Sequence, residues 1–528
     1  MTTEQTGIET SGQTVATSIE RAIELLESLN ADRGQLARVD EATRQRLLIA
    51  AGRISRPDRI ARKQLVKEFH RHARKSAADL QRRTKAGTGI RKARLSSVYV
   101  PPAPVALPSG YGESTSETNE SSTALRCYVC KLSYTNVHHF YDAMCPACAD
   151  LNYRKRFFSA PLDGRVALVT GGRVKIGYQT ALKLLRAGAE VIVTTRFPND
   201  AAQRFAAEAD FSAWQNRLRI FGLDLRHAPS VEILATWLEA RLKRLDILVN
   251  NAAQTVRRPA GWYQHLLAFE ARPVDALAAG LQPLLADYQS LSKELAHGAP
   301  ALRAADDADA KADALRILGG TGPFAAGITH AAILSQVRVC TEDSATAEPE
   351  LFPEGKLDVD LQQVDLRATN SWRLRLGEVA TGEMLEVHLV NAVAPFILCG
   401  RLRPLMERTP GDKFIINASA MEGKFTRYVK TDKHPHTNMA KAALNMMTLT
   451  SAQDYVRAQI YMNAVDTGWV TDEDPHVHAA RKQTECGFEP PLDIVDGAAR
   501  LLDPIFSAVA GDPPMWGKFL KDYMPTSW

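Results

Sequence analysis

Two sets of residues in this chain have the types and spacing to do chemistry. Cys127 and Cys130 form one CxxC pair, Cys145 and Cys148 a second, and 14 residues separate the pairs. Four thiolates spaced in this way can surround one metal ion as a tetrahedron, with metal–sulfur distances of about 2.3 Å. Four cysteines leave no open coordination position, so the ion implied is a structural zinc, and a module this small would depend on it to fold. His138 and His139 lie between the pairs and are not needed as ligands. Redox-active pairs are the lesser reading.

The second set lies in RVALVTGGRVKIGYQTALKLLRAGAEVIVTTR, Arg165 to Arg196. It reads as strand, turn, helix, strand, the unit that receives a dinucleotide pyrophosphate at a helix N-terminus. Thr170, Gly171 and Gly177 carry the turn, with Arg173, Lys175 and Ile176 between them. Gly171 permits the tight turn and Gly177 lets helix and strand pack closely. Arg173 and Lys175 can bring positive charge to the phosphates; the alternative is that both face solvent. Arg196 ends the next strand, about 20 residues past the turn, where a carboxylate would hold a ribose 2′-hydroxyl. An arginine suits a 2′-phosphate instead, so NADP(H) is favoured over NAD(H).

These residues require an alternating α/β frame. Strands are expected at Val166–Thr170, Val191–Thr195, Leu218–Leu223 and Leu245–Asn250, with crossover-length helices between them. After Ala253 the alternation stops, and Ala/Leu-rich helical patterns with an acidic ADDADAKAD stretch follow. It resumes at Glu383 with a long helix to about Arg408, then strands at Phe414–Ala418 and Ile460–Val465. The fold class is therefore α/β: a Rossmann-type doubly wound parallel sheet, interrupted by a mainly helical insertion, preceded by a small zinc module and a basic helical N-terminal region. The divisions are a disordered tail (1–17), the basic helical region (18–100), a Pro/Ser/Gly/Thr linker (101–123), the zinc-binding module (124–160), the first half of the core (161–256), the insertion (257–382) and the second half (383–528). In the helical region Ile19, Ile23, Leu25, Leu26 and Leu29 lie close to one face. Pro57 is expected at the first turn of a helix.

Length and composition agree with several domains. The chain has 528 residues, 45% hydrophobic and 24% charged, the balance of a soluble globular protein. The start is polar, with no apolar leader core, and no run of about 18 apolar residues is present to span a membrane. The cysteine usage fits a reducing, cytoplasmic compartment. Net charge is only +5, yet Glu41 to Arg94 holds 17 Lys/Arg against four Asp/Glu. Such a stretch suits an acidic protein, nucleic-acid phosphates, the acidic insertion of the same chain, or simply a solvated basic bundle.

The tracts Gly164–Asn251 and Glu383–Trp528 together resemble the short-chain dehydrogenase/reductase family. The motifs occur in the family's order: TGGRVKIG for its TGxxxGxG turn, Asp224 and Leu225 in LDLR, Asn250, Asn251 and Ala252 in LDILVNNAA, Asn391 in VNAVAPF, and Thr467 with Gly468 in DTGWVT. The resemblance implies an NADP(H)-dependent oxidoreductase acting on a small-molecule carbonyl or alcohol, and self-association through the long helices. It places Asp224 and Leu225 near adenine, Asn251, Ala252, Thr467 and Gly468 along the cofactor, and Lys441 at the nicotinamide ribose. Asn391 and Ser419 fall at the reacting end. The family's tyrosine is Thr437 here, and an alcohol is too weak an acid to replace a phenol. Three accounts stay open: a neighbour such as Tyr428, His434 or His436 substitutes; the cofactor binds without turnover, in a scaffold; or the chemistry differs, with a residue such as Tyr263 or His265 lent by the insertion. The family's middle turn glycine is Lys175, and its second active-region serine is Ala420.

Overall fold

A computed structural model of the chain describes residues 5–95, 119–296, 325–344, 350–353, 355–358, 362–426 and 430–528. Tyr428, the acidic ADDADAKAD stretch and most of the expected linker lie outside the described residues. The chain divides into two compact units, Met1–Leu80 and Gln81–Trp528.

The first unit is helical, with helices at Gln5–Ala31 and Glu41–Ser55 and a third beginning at Arg59. The first helix starts at Gln5, within the segment expected to be disordered. Side-chain caps set the starts: Asp40 accepts the Thr43 amide at 2.9 Å, and Asp58 accepts that of Ala61 at 2.8 Å. Pro57 thus sits just before its helix rather than within it. Ile19, Ile23, Leu25 and Leu26 are exposed, so the apolar face read from the sequence is not buried here.

In the second unit, strands β1 (Asn119–Arg126) and β2 (Ser133–Val137) form an antiparallel ribbon that carries the cysteine module, so the module begins five residues before 124. The main sheet comprises β3 (Val166–Thr170), β4 (Glu190–Thr195), β5 (Leu218–Gly222), β6 (Ile247–Asn250), β7 (Lys413–Ser419), β8 (Ile460–Asp466), β9 (Phe519–Lys521) and β10 (Met524–Thr526). Its order is β10-β9-β8-β7-β6-β3-β4-β5, parallel except for the terminal β9–β10 hairpin. The order reverses between β3 and β6, which opens the crevice where open α/β sheets bind ligands. β3 and β7 are buried along their whole length, as central strands covered on both faces are, and β7 buries the polar Lys413, Asn417 and Ser419 as well as its apolar residues.

Helices cover both faces. Lys175–Arg186 and Ile494–Val509 bury Leu182, Leu185, Leu501 and Phe506 on one side; Ala228–Arg241, Ala394–Glu407 and Pro435–Tyr455 bury Leu234, Leu398, Leu402 and Tyr455 on the other. The expected long helix after Glu383 is in fact two helices, Thr381–His388 and Ala394–Glu407, joined by a π-turn at Leu389–Val393. The segment Thr381–Glu407 is long and apolar enough to cross a bilayer, contrary to the sequence reading, but its Leu398, Leu402, Leu405 and Met406 are packed in the core.

The insertion is built of short pieces, its longest described helix being Ala286–Ala296. Buried ion pairs brace it internally, through Asp343, and tie it to the second half of the core, through Glu386. Arg257 makes a two-pronged contact with Asp343 (2.9 and 2.6 Å) and a third with Glu386 at 2.7 Å.

Candidate cofactor cleft and cysteine centre

The C-terminal ends of β3, β4, β6, β7 and β8 line one cleft of about 1090 Å³, the upper end of the range small-molecule sites occupy. Thr170 is buried behind the cleft and does not line it; its hydroxyl accepts the amides of Asn251 (3.1 Å) and Ala252 (3.0 Å), while Asn251 Nδ2 donates to the Thr170 carbonyl at 3.0 Å and to that of Gly171 at 3.3 Å. This knot fixes the turn after β3 against the loop after β6. A Cβ on Gly177 would stand 2.3 Å from Asn251 Nδ2 and from the Gly171 carbonyl, so only glycine fits. Gly171 takes a φ of 68°, and Lys175 is forced to 55°, the left-handed conformation that explains a glycine at this place in the family pattern. Lys175 and Ile176 both line the cleft. Arg173 is buried and paired with Asp200 at 2.7 Å, which neutralises the charge it was expected to bring to phosphates.

At one end of the cleft Arg196 donates to the Tyr263 hydroxyl at 2.6 Å, and its guanidinium lies 4.5 Å from that ring's centre. Tyr263 of the insertion therefore aims Arg196, a role invisible in the sequence. His265 instead bonds the Trp262 carbonyl at 3.0 Å and does not line the cleft. Asp224 and Leu225 line the same end. Burial would raise the Asp224 pKa, but the Arg226 guanidinium, 2.6 Å away, outweighs it and holds the carboxyl below its usual range.

At the other end stand Ser419, Lys441, Glu422, His434, Asp466, Thr467 and Gly468. Ser419 donates to Asn445 Oδ1 at 2.6 Å, and Lys441 Nζ to the Ala418 carbonyl at 2.7 Å. Burial pushes the Lys441 ammonium down to about 8, against the opposing charge of Glu422. Asp466 pairs in register with Ser419 across β7 and β8. Its pKa is raised by burial, with Lys521, 3.6 Å away, opposing. Sequence reasoning passed over Asp466, since an aspartate beside a Thr-Gly turn carries no spacing of its own.

Asn391 is buried in the π-turn. Its Oδ1 accepts the Gln254 amide at 2.7 Å and its Nδ2 donates to the Gln254 carbonyl at 3.3 Å, so it positions the loop after β6. Such single wide turns inside helices recur at functional sites. Thr437 is buried with its hydroxyl lacking a hydrogen-bond partner, and neither it nor His436 lines the cleft. His436 faces Glu383, 3.4 Å away. His434 is stacked flat on Trp372, ring centres 3.9 Å apart.

Beside the cleft, the ligand atoms of Cys127, Cys130, Cys145 and Cys148 all lie within 4.8 Å of one another. The Cys130 and Cys145 sulfurs are 3.7 Å apart, matching the edge of a tetrahedron with metal–sulfur bonds of about 2.3 Å. The donor set fits zinc. Burial raises the Cys127 thiol, but the amides of Cys145, Cys130 and Val129 prevail and bring it to about 7. His138 is not part of the set: its Nδ1 accepts the Phe140 and Tyr141 amides at 3.0 and 3.2 Å.

An eight-stranded, mostly parallel sheet with a glycine turn at its switch point defines a dinucleotide-fold protein. A short chain dehydrogenase family model matches residues 165–266. An uncharacterized protein of Acanthamoeba polyphaga mimivirus is 30% identical over 406 residues, 74% of this chain and 73% of that one. Dehydrogenase/reductase SDR family member 13 of Bos taurus is 38% identical over 93 residues, 18% of this chain and 24% of its own, so the chain spans about a quarter of that relative's length. Among solved structures, an NADPH-bound carbonyl reductase from chicken fatty liver has a TM-score of 0.40 and 17% identity, over 70% of this chain and 100% of that one. The chain belongs to the short-chain dehydrogenase/reductase family, whose relatives are oxidoreductases.

Proposed function

We propose that the chain is an NADP(H)-dependent oxidoreductase acting on a carbonyl or alcohol of a small molecule. The supporting observation is that the glycine turn, Arg196 and Lys441 line a single cleft. When bound, the cofactor supplies or takes the hydride. Arg196 would meet the 2′-phosphate, the turn amides and Lys175 would hold the pyrophosphate, and Thr467 and Gly468 would lie along the nicotinamide half. Lys441 would donate to the ribose hydroxyls, and the Ser419 hydroxyl would turn from Asn445 Oδ1 to donate to the substrate oxygen. The proton comes from Asp466, which burial favours in its protonated form and which lies beside Ser419. Zinc in the four-cysteine centre is structural. A reducing cytoplasmic compartment suits its thiolates, and the basic helices suit an acidic protein or nucleic acid.

The test is NADPH binding by fluorescence, followed by cofactor oxidation across aldehydes, ketones and quinones. Turnover lost in Lys441→Ala and retained in Tyr428→Phe and His436→Ala is the expected result. Metal analysis should return about one zinc per chain. A second reading, a cofactor-binding scaffold without turnover, is favoured by the buried Thr437 in place of a phenol. NADPH binding with no oxidation on any substrate would select it.

A further inference from the structure

The cysteine centre and the cofactor cleft share a residue. Tyr128, inside the first CxxC, lines the cleft. Its hydroxyl accepts the backbone amide of Trp469 at 2.9 Å. Its backbone is held within the module: the Tyr128 amide donates to the Ala143 carbonyl at 2.8 Å, two residues before Cys145, and the amide of the neighbouring Cys127 donates to the Leu132 carbonyl at 2.9 Å. Lys521 and Lys131 stand 5.3 and 5.0 Å from the centre of its ring. The Tyr128 hydroxyl would lie 3.4 Å from a Cβ on Gly468, which takes a φ of 79°. The phenol thus braces the Asp466–Trp469 turn at the reacting end of the cleft.

Packing extends the same connection. The small core around Cys127, Tyr134, Tyr141 and Met144 also buries Val470 and Leu492, and Ile176 of the glycine turn packs against it. One apolar cluster therefore reaches the cysteine pairs, the phosphate turn and the turn after β8. Polar contacts reinforce it: the Tyr141 hydroxyl bonds Asp496 at 2.5 Å, and Arg156 bonds Asp493 at 2.7 Å and Asp496 at 3.0 Å, at the start of the helix Ile494–Val509. A module this small holds its shape through its metal, so the wall it builds depends on that metal.

We infer that Tyr128 is a positioning residue through which metal occupancy of the four-cysteine centre sets the affinity of the cleft for its dinucleotide. The inference rests on the cofactor reading above. Coupling of this kind is reciprocal: if metal strengthens NADPH binding by some factor, NADPH strengthens metal retention by the same factor.

The experiment uses the full chain, purified reduced with its zinc. NADPH affinity is measured by fluorescence before and after removal of zinc with a chelator, and again after zinc is restored. Stripping should weaken binding at least fivefold, the lower end of usual coupling energies, and restoration should reverse it. Tyr128→Phe should keep its zinc and its thermal midpoint but bind NADPH roughly three- to tenfold more weakly, the worth of one hydrogen bond. Saturating NADPH should slow zinc loss to the chelator in the unaltered protein and do so much less in Tyr128→Phe, a coupling that a merely structural tyrosine would not move. Unchanged NADPH affinity in both the stripped protein and Tyr128→Phe would overturn the inference while leaving the cofactor reading intact. Failure of the zinc-loaded protein to bind NADPH or NADH at all would instead remove the cofactor reading, and this inference with it.

Discussion

Arg196 and Asp466 carry the two most specific expectations about single residues. Arg196 is aimed by the Tyr263 hydroxyl and stands at the end of β4, where a 2′-phosphate would meet a guanidinium. A hydrogen bond to a charged group is worth about 1.5–3 kcal/mol, so Arg196→Ala should weaken NADPH by roughly 10- to 100-fold and leave NADH nearly unchanged in paired titrations. Equal losses for both cofactors would show that Arg196 does not discriminate between them. Asp466 makes a prediction about pH. Its pKa is raised by burial, so it holds its proton to a higher pH than an ordinary carboxylic acid, and carbonyl reduction should fall as pH rises through that value. In Asp466→Asn the rate should drop at least 100-fold and lose this dependence, with NADPH affinity kept. The same shift has a sign for stability. The folded form binds the proton more tightly than the unfolded chain, so this contribution is full below the ordinary carboxylate range and is lost as pH rises through the raised value. A stability profile rising over that interval in the parent, relative to Asp466→Asn, would contradict the burial of this carboxyl.

At the scale of elements, the turn after β3 is where local geometry and cofactor chemistry compete. Lys175 holds a left-handed backbone at φ 55°, a conformation that costs a side-chain-bearing residue about 1 kcal/mol. Lys175→Gly should therefore raise stability by about 1 kcal/mol in denaturant titrations. If the ammonium meets the pyrophosphate, the same change should weaken NADPH three- to tenfold; a gain in stability with unaltered affinity would show that the side chain faces solvent. Much of this element was legible beforehand. β3, β4 and β6 are short runs rich in β-branched residues that pair in parallel, and Gly177, Asn251, Ser419 and Lys441 line one cleft, with Thr170 buried behind it. The π-turn at Asn391 was not legible, because a helical period shows where apolar residues recur and not where one extra residue widens a turn.

Across the whole molecule, what the sequence concealed is contact between distant segments. Tyr128 meets Trp469 across 341 residues, Arg226 meets Glu386 across 160, and Tyr263 meets Arg196 across 67. No local pattern records these pairings, yet they decide what each charged or aromatic group can do. Asp224, placed near adenine by its motif, lines the cleft with its carboxylate bonded by Arg226; Arg173, expected beside the phosphates, lines it paired with Asp200. The two cysteine pairs stand out by spacing alone, and their four sulfurs do gather within 4.8 Å, but the place of Tyr128 between them in the wall of the cleft emerges only when the second half of the sheet is assembled beside it. Every role proposed for the cleft at the switch between β3 and β6 requires that it take a phosphorylated nicotinamide dinucleotide. Isothermal titration of the zinc-loaded full chain tests it most directly: NADPH should bind at micromolar concentration and at least tenfold more tightly than NADH. No heat of binding from either cofactor at millimolar concentration would contradict it.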